Sequence, residues 1–272
     1  MSSTGSSSSE RTAVFVHPHP DDEAIFSGGA MRRAANAGWR VVLVLATSGE
    51  EGEMPDWVMV DAADHRRMET AEAADHLGVS ELHYLGYRDS GMAGSATNSA
   101  GRALATSVAD AASDLAELLD RVRADAVIGQ DPNGTYGHPD HVAVHQVVRS
   151  AAHEVGVGEL LEVTLDRSWL RNLRHDRIER GWLSPDAWAL ASIEQLGTEM
   201  AEAMVHLDVT PELAFKQAAM AAHASQVPDA QDFMGIPPGT FHLVVRNEWY
   251  LRSQPSQDPG LLEQTLLGTN PR

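Results

Sequence analysis

Short apolar runs alternate with amphipathic stretches over roughly the first 165 residues of the chain. The apolar runs are short enough to be buried strands and fall at residues 12–17, 39–47, 81–86, 126–131 and 159–165. Between them, apolar residues recur at helical spacing over residues 24–38, 59–78, 105–125 and 139–156. This alternation is typical of parallel sheets with crossover helices. The pattern therefore predicts an α/β fold with a Rossmann-like, mostly parallel sheet flanked by helices.

The rest of the chain is less regular. Residues 210–226 predict a helix, with Thr210 as the N-cap and Pro211 at the first helical position. Residues 240–252 predict a late strand. Residues 165–205 contain no interpretable motif, and we expect loops that shape specificity there, because such loops vary on a constant scaffold.

These elements predict one domain over residues 12–252, with a smaller C-terminal extension of the α/β unit. Residues 1–11 are rich in serine and lack the basic and apolar regions of a signal peptide, so we expect a disordered leader. Residues 253–272 predict a weakly specified tail. The length of 272 residues and the hydrophobic fraction of 43% are sufficient for a sizeable core.

The balance of charge narrows the choice of partners. The chain has 20 Lys and Arg residues against 39 Asp and Glu residues, a net charge of -19. This excess of negative charge argues against nucleic acid or an anionic membrane surface as the binding partner. A high net charge also keeps a protein soluble, which is the alternative explanation. No apolar stretch approaches the roughly 20 residues of a membrane span. We expect a cytoplasmic protein that acts on a small molecule.

The chain contains no cysteine, which limits the metal chemistry available to it. Disulfides and thiolate metal sites are excluded, and any metal must be bound by His, Asp or Glu. The absence of cysteine also fits a cytoplasmic protein.

Polar segments follow each of the first four predicted strands. In open α/β sheets, ligands bind beyond the carboxyl ends of the strands. Four loops whose side chains can bind a metal ion or transfer a proton therefore meet at one edge of the predicted sheet. They are "HPHPDDE" at 17–23, "SGEEGE" at 48–53, "YRDSGM" at 87–92 and "DPNGTYGHPDH" at 131–141.

The first of these loops contains "HPDDE", residues 19–23. A rigid turn at the end of a strand can direct His19 and one carboxylate at a common point, and imidazole with carboxylate suits Zn²⁺ or a similar ion. The alternative is an N-capping cluster in which Asp21 or Asp22 accepts hydrogen bonds from the first amides of the helix.

The motif "GHPDH" at residues 137–141 repeats the pattern of His, Pro and Asp. His138 and His141 are three residues apart at a helix start and share one face, with Asp140 between them. The alternative is a surface helix start with an acid in its first turn. Two such motifs at one sheet edge favour a metal centre over two unrelated helix starts.

A catalytic zinc ion typically has three protein ligands and one open position. His19, Asp22 and His141 supply those ligands. Asp21 and His138 then remain as a candidate general base and general acid.

The motifs resemble those of the PIG-L/LmbE-like family of zinc-dependent N-deacetylases. The resemblance covers residues 12–252 and is strongest in the paired HPDD and HPDH motifs. The matching segments are residues 18–29, 48–53, 66–78, 85–92 and 136–141, with weaker matches at 216–226 and 248–250.

The resemblance implies separate roles for the residues of the metal centre. His19, Asp22 and His141 would bind one Zn²⁺ ion per chain, with another divalent ion such as Fe²⁺ as the alternative. Asp21 would activate the attacking water, and His138 would protonate the leaving amine or stabilise the oxyanion.

Four further residues receive roles from the resemblance. Asp140 would orient His138, and Tyr136 matches a mobile tyrosine that polarises the scissile carbonyl. Arg66 and Asp89 match positions that hold the hydroxyls of the sugar. The family includes deacetylases of N-acetylglucosaminyl-inositol and of antibiotic sugars.

The sequence leaves three functions to distinguish. The first is metal-dependent removal of an N-acyl group from an amino sugar such as a glycoside of N-acetylglucosamine. The second is cleavage of a mycothiol-type conjugate amide by the same residues. The third is non-catalytic binding, but a nucleotide-binding Rossmann domain should have G-x-G-x-x-G where this chain has "HPHPDDE". The oligomeric state is not predicted.

Several polar residues near the motifs are given no catalytic role. His17 is interpreted either as structural or as a residue that supports the metal ligands, and Glu23 as an acid that favours the helix N-terminus. His145 more readily faces the core or solvent than a metal. His223 and Gln226 either line the pocket or have a structural role.

Overall fold

The computed structural model describes residues 10–99, 101–200, 204–226, 237–253 and 259–269. Residues 1–9 of the expected leader therefore lie outside the described residues. Within the described residues, seven strands form a single sheet. They are β1 (Thr12–His17), β2 (Arg40–Thr47), β3 (Glu81–Tyr87), β4 (Ala126–Gln130), β5 (Glu159–Thr164), β6 (Met204–Asp208) and β7 (Asn247–Arg252).

The strand order is β3-β2-β1-β4-β5-β7-β6. The neighbours from β3 to β5 pair in parallel, whereas β7 pairs antiparallel with both β5 and β6. This mixed, mostly parallel sheet confirms the predicted fold class, and the β6–β7 pair extends it at the C-terminal side.

Helices cover both faces of the sheet. They are α1 (Asp22–Asn36), α2 (Ala62–Leu77), α3 (Val108–Val122), α4 (Gly134–Gly137), α5 (Pro139–Val155), α6 (Arg167–Glu179), α7 (Leu190–Ile193), α8 (Leu213–Ala222), α9 (Pro238–Val244) and α10 (Leu261–Leu266). Helices α3 and α5 pack on one face, around Val14, Val16 and Leu115. The other helices supply the core of the opposite face, around Phe15 and Met31. No helix in these described ranges is long and apolar enough to span a membrane.

The strand predicted over residues 240–252 is wrong in its first half. Pro238 stands at the helix start and α9 runs to Val244, so that only Asn247–Arg252 is a strand. The buried residues Phe241, Val244 and Val245 follow the three- and four-residue spacing of a helix rather than the alternation of a strand. The fixed φ of proline suits the first turn of a helix, which favours the same outcome.

Residues 165–205, where the sequence contains no interpretable motif, include helices α6 and α7 and the start of β6, and helix α10 lies in the expected tail. Helix α6 follows β5 directly, and β6 forms the edge of the sheet. Helix α10 buries Leu262 and Leu266 in the core, and the Glu159 carboxylate accepts hydrogen bonds from two of its first amides. These short segments depend on distant partners, which a local pattern does not contain.

The glycine pair at residues 28–29 allows α8 and its flanking segment to approach α1 closely. A Cβ at Gly29 would lie 2.3 Å from a methyl carbon of Val209, and one at Gly28 would lie 3.1 Å from Cγ of Lys216. Such distances leave no room for a side chain at Gly29. This close packing brings the end of α8 to the start of α1, beside the candidate site.

A buried ion pair holds α8, β7 and α1 together. The Glu248 carboxylate accepts hydrogen bonds from Lys216 Nζ at 2.6 Å, from Tyr250 Oη at 2.8 Å and from the amides of Gly29 and Ala30. Lys216 and Glu248 are both buried. Burial lowers the pKa of Lys216, and the Glu248 carboxylate opposes that shift.

We expect Glu248→Ala to lower the free energy of unfolding by about 3–5 kcal/mol, because it leaves a buried ammonium without its counter-ion. Chemical denaturation with circular dichroism measures the change. As a matched control, Arg180→Ala removes an exposed ion pair with Asp176 and should leave the free energy of unfolding nearly unchanged. Equal destabilisation by the two substitutions would contradict the importance of the buried pair.

Candidate active site

The strand order reverses beside β1, which places a crevice at the carboxyl ends of β1 and β4. Strands β2 and β3 lie on one side of β1, and β4 and β5 on the other. This is the position where open α/β sheets bind ligands. Because β1 ends at His17 and β4 ends at Gln130, both His-Pro-Asp motifs begin at this crevice.

The first motif forms a tight turn between β1 and α1. The Pro18 carbonyl accepts hydrogen bonds from the amide and hydroxyl of Thr47 on β2. Asp21 occupies the N-cap position with φ of 99°, yet its side chain makes no capping hydrogen bond. The carboxylate of Asp22 instead accepts a hydrogen bond from the His19 amide at 3.0 Å. The capping alternative therefore does not account for Asp21, which lines a cavity at this crevice.

The second motif follows the short helical turn α4. Thr135 has φ of 58°. Its amide donates a hydrogen bond to Oδ1 of Asp131 at 2.7 Å, which holds the residue in this conformation. At Gly134, φ is 59° and a Cβ would lie 2.7 Å from Cβ of His141, so this position requires glycine. Helix α5 then begins at Pro139, and Asp140 and His141 are fully buried. Their burial excludes the alternative of a surface helix start.

Three side chains from the two motifs converge as a candidate metal site. Oδ2 of Asp22 lies 3.3 Å from Nδ1 of His19 and 3.3 Å from Nε2 of His141. One ligand atom from each of the three residues lies within 4.8 Å of the others. Neighbouring ligands in a tetrahedral site with bonds of about 2.0–2.1 Å are about 3.3 Å apart. The donor set and its spacing therefore fit a zinc ion.

The outer nitrogen of His19 faces two carboxylates. Nε2 of His19 lies 3.3 Å from Oδ2 of Asp140 and 3.6 Å from Oδ1 of Asp89. Ser90 holds Asp140 in place, because its amide donates to the same Asp140 oxygen at 2.8 Å. Burial lowers the pKa of His19, but the surrounding carboxylates, Asp89 foremost, outweigh it and raise that pKa well above the usual value. A metal-ligating histidine commonly has such a carboxylate on its second nitrogen.

His138 contacts Asp140 in a different way from the one expected. The backbone amide of Asp140 donates to Nδ1 of His138 at 3.1 Å, while the Asp140 carboxylate faces His19. Because Nδ1 accepts this bond, the ring proton of His138 is on Nε2. Burial, together with His19 and His141, lowers the pKa of His138 to about 3.

His19, Asp89 and His138 form a second group whose ligand atoms lie within 4.8 Å of one another. It shares His19 with the first group. Asp89 Oδ1 also accepts a hydrogen bond from the Gly91 amide at 2.8 Å. Burial raises the pKa of Asp89, but His19 and this amide outweigh it, so that the pKa of Asp89 is lowered.

Asp21 lies at the side of the pocket, next to Arg66. Burial raises the pKa of Asp21 to about 7, although the Arg66 guanidinium opposes the shift. Nη2 of Arg66 donates to the Pro20 carbonyl at 2.6 Å and lies 3.6 Å from Oδ2 of Asp21. Nη1 of Arg66 donates to the Gly49 carbonyl. Arg66 therefore joins the HPDD turn to the loop after β2.

Tyr136 reaches the candidate metal site from α4. Its hydroxyl lies 2.8 Å from Nε2 of His141, the atom that also faces Asp22. Burial, with the nearby carboxylates of Asp22 and Asp21, raises the pKa of Tyr136 well above its usual value. The hydroxyl is therefore neutral and able to donate a hydrogen bond.

A cavity of about 220 Å³ opens above these side chains. Seven of the nine candidate residues line it, and Asp140 and His141 lie behind them, fully buried. The residues of the wall outside the candidate set are Ile25, Phe26, Glu51, Gly52, Gly91, Met92 and Gln226. Ile25 and Phe26 follow Asp22 by three and four residues on α1, so helical spacing could have placed them beside a ligand.

His17 and His145, which are close to the two motifs in the sequence, lie outside both candidate metal groups. Nδ1 of His17 lies 3.1 Å from Nε2 of Gln130, whose Oε1 accepts a hydrogen bond from Thr135 at 3.0 Å. Burial lowers the pKa of His17 to about 4, so it supports the α4 turn as a neutral residue. His145 faces away, with Nδ1 2.8 Å from Oε1 of Glu162.

Comparison with known proteins gives matches along most of the chain. A family model described as GlcNAc-PI de-N-acetylase, PIG-L, matches residues 14–152. A 1D-myo-inositol 2-acetamido-2-deoxy-alpha-D-glucopyranoside deacetylase from Salinispora arenicola is 34% identical, over 92% of this chain and 87% of the relative.

Solved deacetylase structures share this fold. The N,N'-diacetylchitobiose deacetylase of Pyrococcus horikoshii superposes with a TM-score of 0.56 at 20% identity, covering 89% of this chain and 83% of that one. A zinc-inhibited form of teicoplanin deacetylase gives a TM-score of 0.55 at 18% identity, covering 90% of this chain and 100% of that one.

Proposed function

This chain belongs to the PIG-L family of GlcNAc-PI de-N-acetylases, and from that premise we propose that it hydrolyses the N-acetyl group of an amino sugar. The substrate class is a glycoside of N-acetylglucosamine, as in the name of the Salinispora relative, an acetamido-deoxy-glucopyranoside of inositol. The chain is an enzyme of the deacetylase type, and acetate and a free amine are its products. Its cytoplasmic location remains a prediction.

His19, Asp22 and His141 would hold the metal ion, with zinc as the first choice. Their donor set and spacing fit zinc, and a zinc-inhibited form is known for teicoplanin deacetylase. When bound, such an ion polarises the carbonyl and lowers the pKa of water. Asp140 would keep His19 in place through its outer nitrogen, in the manner of carboxylates behind metal-bound histidines.

Asp21 would accept the proton of the attacking water. Its carboxylate lines the cavity and is not used in capping the helix. Amide hydrolysis also needs a proton on the leaving nitrogen, and Asp21 could return the same proton to it. A single carboxylate can serve both steps because its conjugate acid is formed in the first.

His138 and Tyr136 would stabilise the negative charge that develops on the carbonyl oxygen. The bond from the Asp140 amide leaves the ring proton of His138 on Nε2, so that His138 acts as a neutral donor. The Tyr136 hydroxyl is a second neutral donor at the same end of the cavity. Hydrogen-bond donors directed at a developing oxyanion typically contribute about 10²–10³-fold in kcat.

The cavity walls fit an acetamido sugar. Ile25, Phe26 and Met92 provide apolar surface for the acetyl methyl group. Asp89, Arg66 and Glu51 provide polar groups for hydroxyls of the sugar ring. We therefore retain Arg66 and Asp89 as substrate-binding residues, although Arg66 also holds two backbone carbonyls.

The convergence of His19, Asp22 and His141 beside Asp21 carries this proposal, because it unites a metal group and a base in one cavity. The test is an amine-release assay with zinc-loaded protein. We expect equimolar acetate and amine from the inositol glycoside of N-acetylglucosamine. The same assay includes N,N'-diacetylchitobiose, free N-acetylglucosamine and a thiol-conjugate amide.

Two outcomes of this assay would change the proposal. Preference for the conjugate amide by about tenfold or more in kcat/KM would make the enzyme an amidase with the same residues. No amine release from any substrate, with one metal ion bound per chain, would contradict hydrolysis altogether.

A further inference from the structure

Glu23 and His223 form a buried pair at the start of α1. Oε1 of Glu23 lies 2.5 Å from Nε2 of His223, although the residues are 200 positions apart in the chain. Both side chains are fully buried. The helix dipole favours an acid at this position, but burial of a carboxylate is costly without a partner that compensates its charge. The dipole alone therefore does not explain Glu23.

The second oxygen of Glu23 turns back to Asp21. The Asp21 amide donates to Oε2 of Glu23 at 2.9 Å. Asp21 is not glycine, but its φ of 99° lies in the left-handed half of the conformational map. Such a conformation is unfavourable for a residue other than glycine and persists only where the surroundings impose it.

We propose that the Glu23–His223 pair is a positioning device that holds the backbone of Asp21 in this conformation and so directs its carboxylate into the cavity. His223 fixes one oxygen of Glu23, and the other oxygen holds the Asp21 amide. Glu23 and His223 are positioning residues and do not touch the substrate. The inference rests on the proposed function, in which Asp21 moves the proton.

The segment that contains His223 is itself anchored to two other walls of the cavity. Ser225 donates from its amide and its hydroxyl to Glu69 on α2, at 2.8 Å and 2.6 Å. Nε2 of Gln226 donates to the Glu53 carbonyl in the loop after β2 at 2.9 Å. These hydrogen bonds hold the segment that presents His223 to Glu23, as a positioning role requires.

The test compares Glu23→Ala with Glu23→Gln and with His145→Ala. In Glu23→Ala the Asp21 amide loses its acceptor, and we expect kcat to fall by about 100-fold, the effect of a misplacement of about 1 Å. KM should change by less than about threefold, because the substrate contacts remain. Metal content should stay at one ion per chain.

Two variants separate positioning from simple destabilisation. Glu23→Gln keeps an oxygen for the Asp21 amide and a polar group for His223, and should recover kcat to within about tenfold of the unaltered enzyme. His145→Ala removes the contact of α5 with Glu162, away from the cavity and from the segment that contains His223, and its kcat should stay within about threefold. If Glu23→Ala does not fold, His223→Ala and His223→Gln give the same comparison.

Crystal structures of the unaltered enzyme and of Glu23→Ala provide a readout that does not depend on activity. We expect φ of Asp21 to become negative in Glu23→Ala and its carboxylate to leave the cavity wall. An unchanged φ near 99°, or an unchanged kcat, would overturn the positioning role. Lack of turnover in the unaltered enzyme would instead count against the proposed function, and the crystal structures would still decide the positioning role.

Discussion

Replacing Asp21 by asparagine should lower kcat by roughly 10²–10⁴-fold, the usual contribution of a general base. Asparagine has the same size but cannot accept the proton of the attacking water. Since Asp21 makes no capping hydrogen bond, the substitution should not disturb the start of α1. Steady-state kinetics, metal analysis and thermal unfolding on one preparation measure the effect.

Asp22→Asn is the matched comparison, one residue further along the chain. Asp22 shares its Oδ2 between His19 and His141, so that this substitution should reduce metal content together with activity. Asp21→Asn should keep its metal. If Asp21→Asn lost the metal at an unchanged fold, the division of roles between the two aspartates would be wrong.

The placement of the two His-Pro-Asp motifs at one sheet edge was predictable from the sequence, because local rules determine it. Strand β1 and the helix after it follow from a short apolar run and helical spacing, and parallel strands bring their carboxyl ends to the same edge. His19, Asp22 and His141 could therefore be expected to meet. The contacts of Asp22 with His19 and with His141, both at 3.3 Å, confirm the proximity, while the role of the three residues as ligands remains a prediction.

The parts that the sequence did not reveal depend on packing between distant segments. The Asp140 carboxylate faces His19 because the Ser90 amide, after β3, holds it there, and motif spacing contains no information on that contact. Glu23 meets His223 across 200 residues for the same reason. Local patterns also fail at α9, which replaces the first part of the strand predicted over residues 240–252.

Replacing His141 by alanine should have the second large effect, loss of the metal ion together with activity. The substitution removes one of only three side chains in the first candidate group, and a site with three protein ligands depends on each of them. We expect metal content to fall from about one ion per chain to well below half under the same dialysis conditions. Turnover should fall to background with it.

His145→Ala is the control for this prediction, since it alters a histidine one helical turn further along α5. Nδ1 of His145 bonds to Glu162 and to the Gln130 carbonyl, away from the cavity, so both metal content and kcat should stay close to those of the unaltered enzyme. Titration of the metal-free His141→Ala protein with Zn²⁺ then measures how far its affinity has fallen. Full metal content in His141→Ala would contradict the assignment of His19, Asp22 and His141, and would direct attention to the overlapping group of His19, Asp89 and His138.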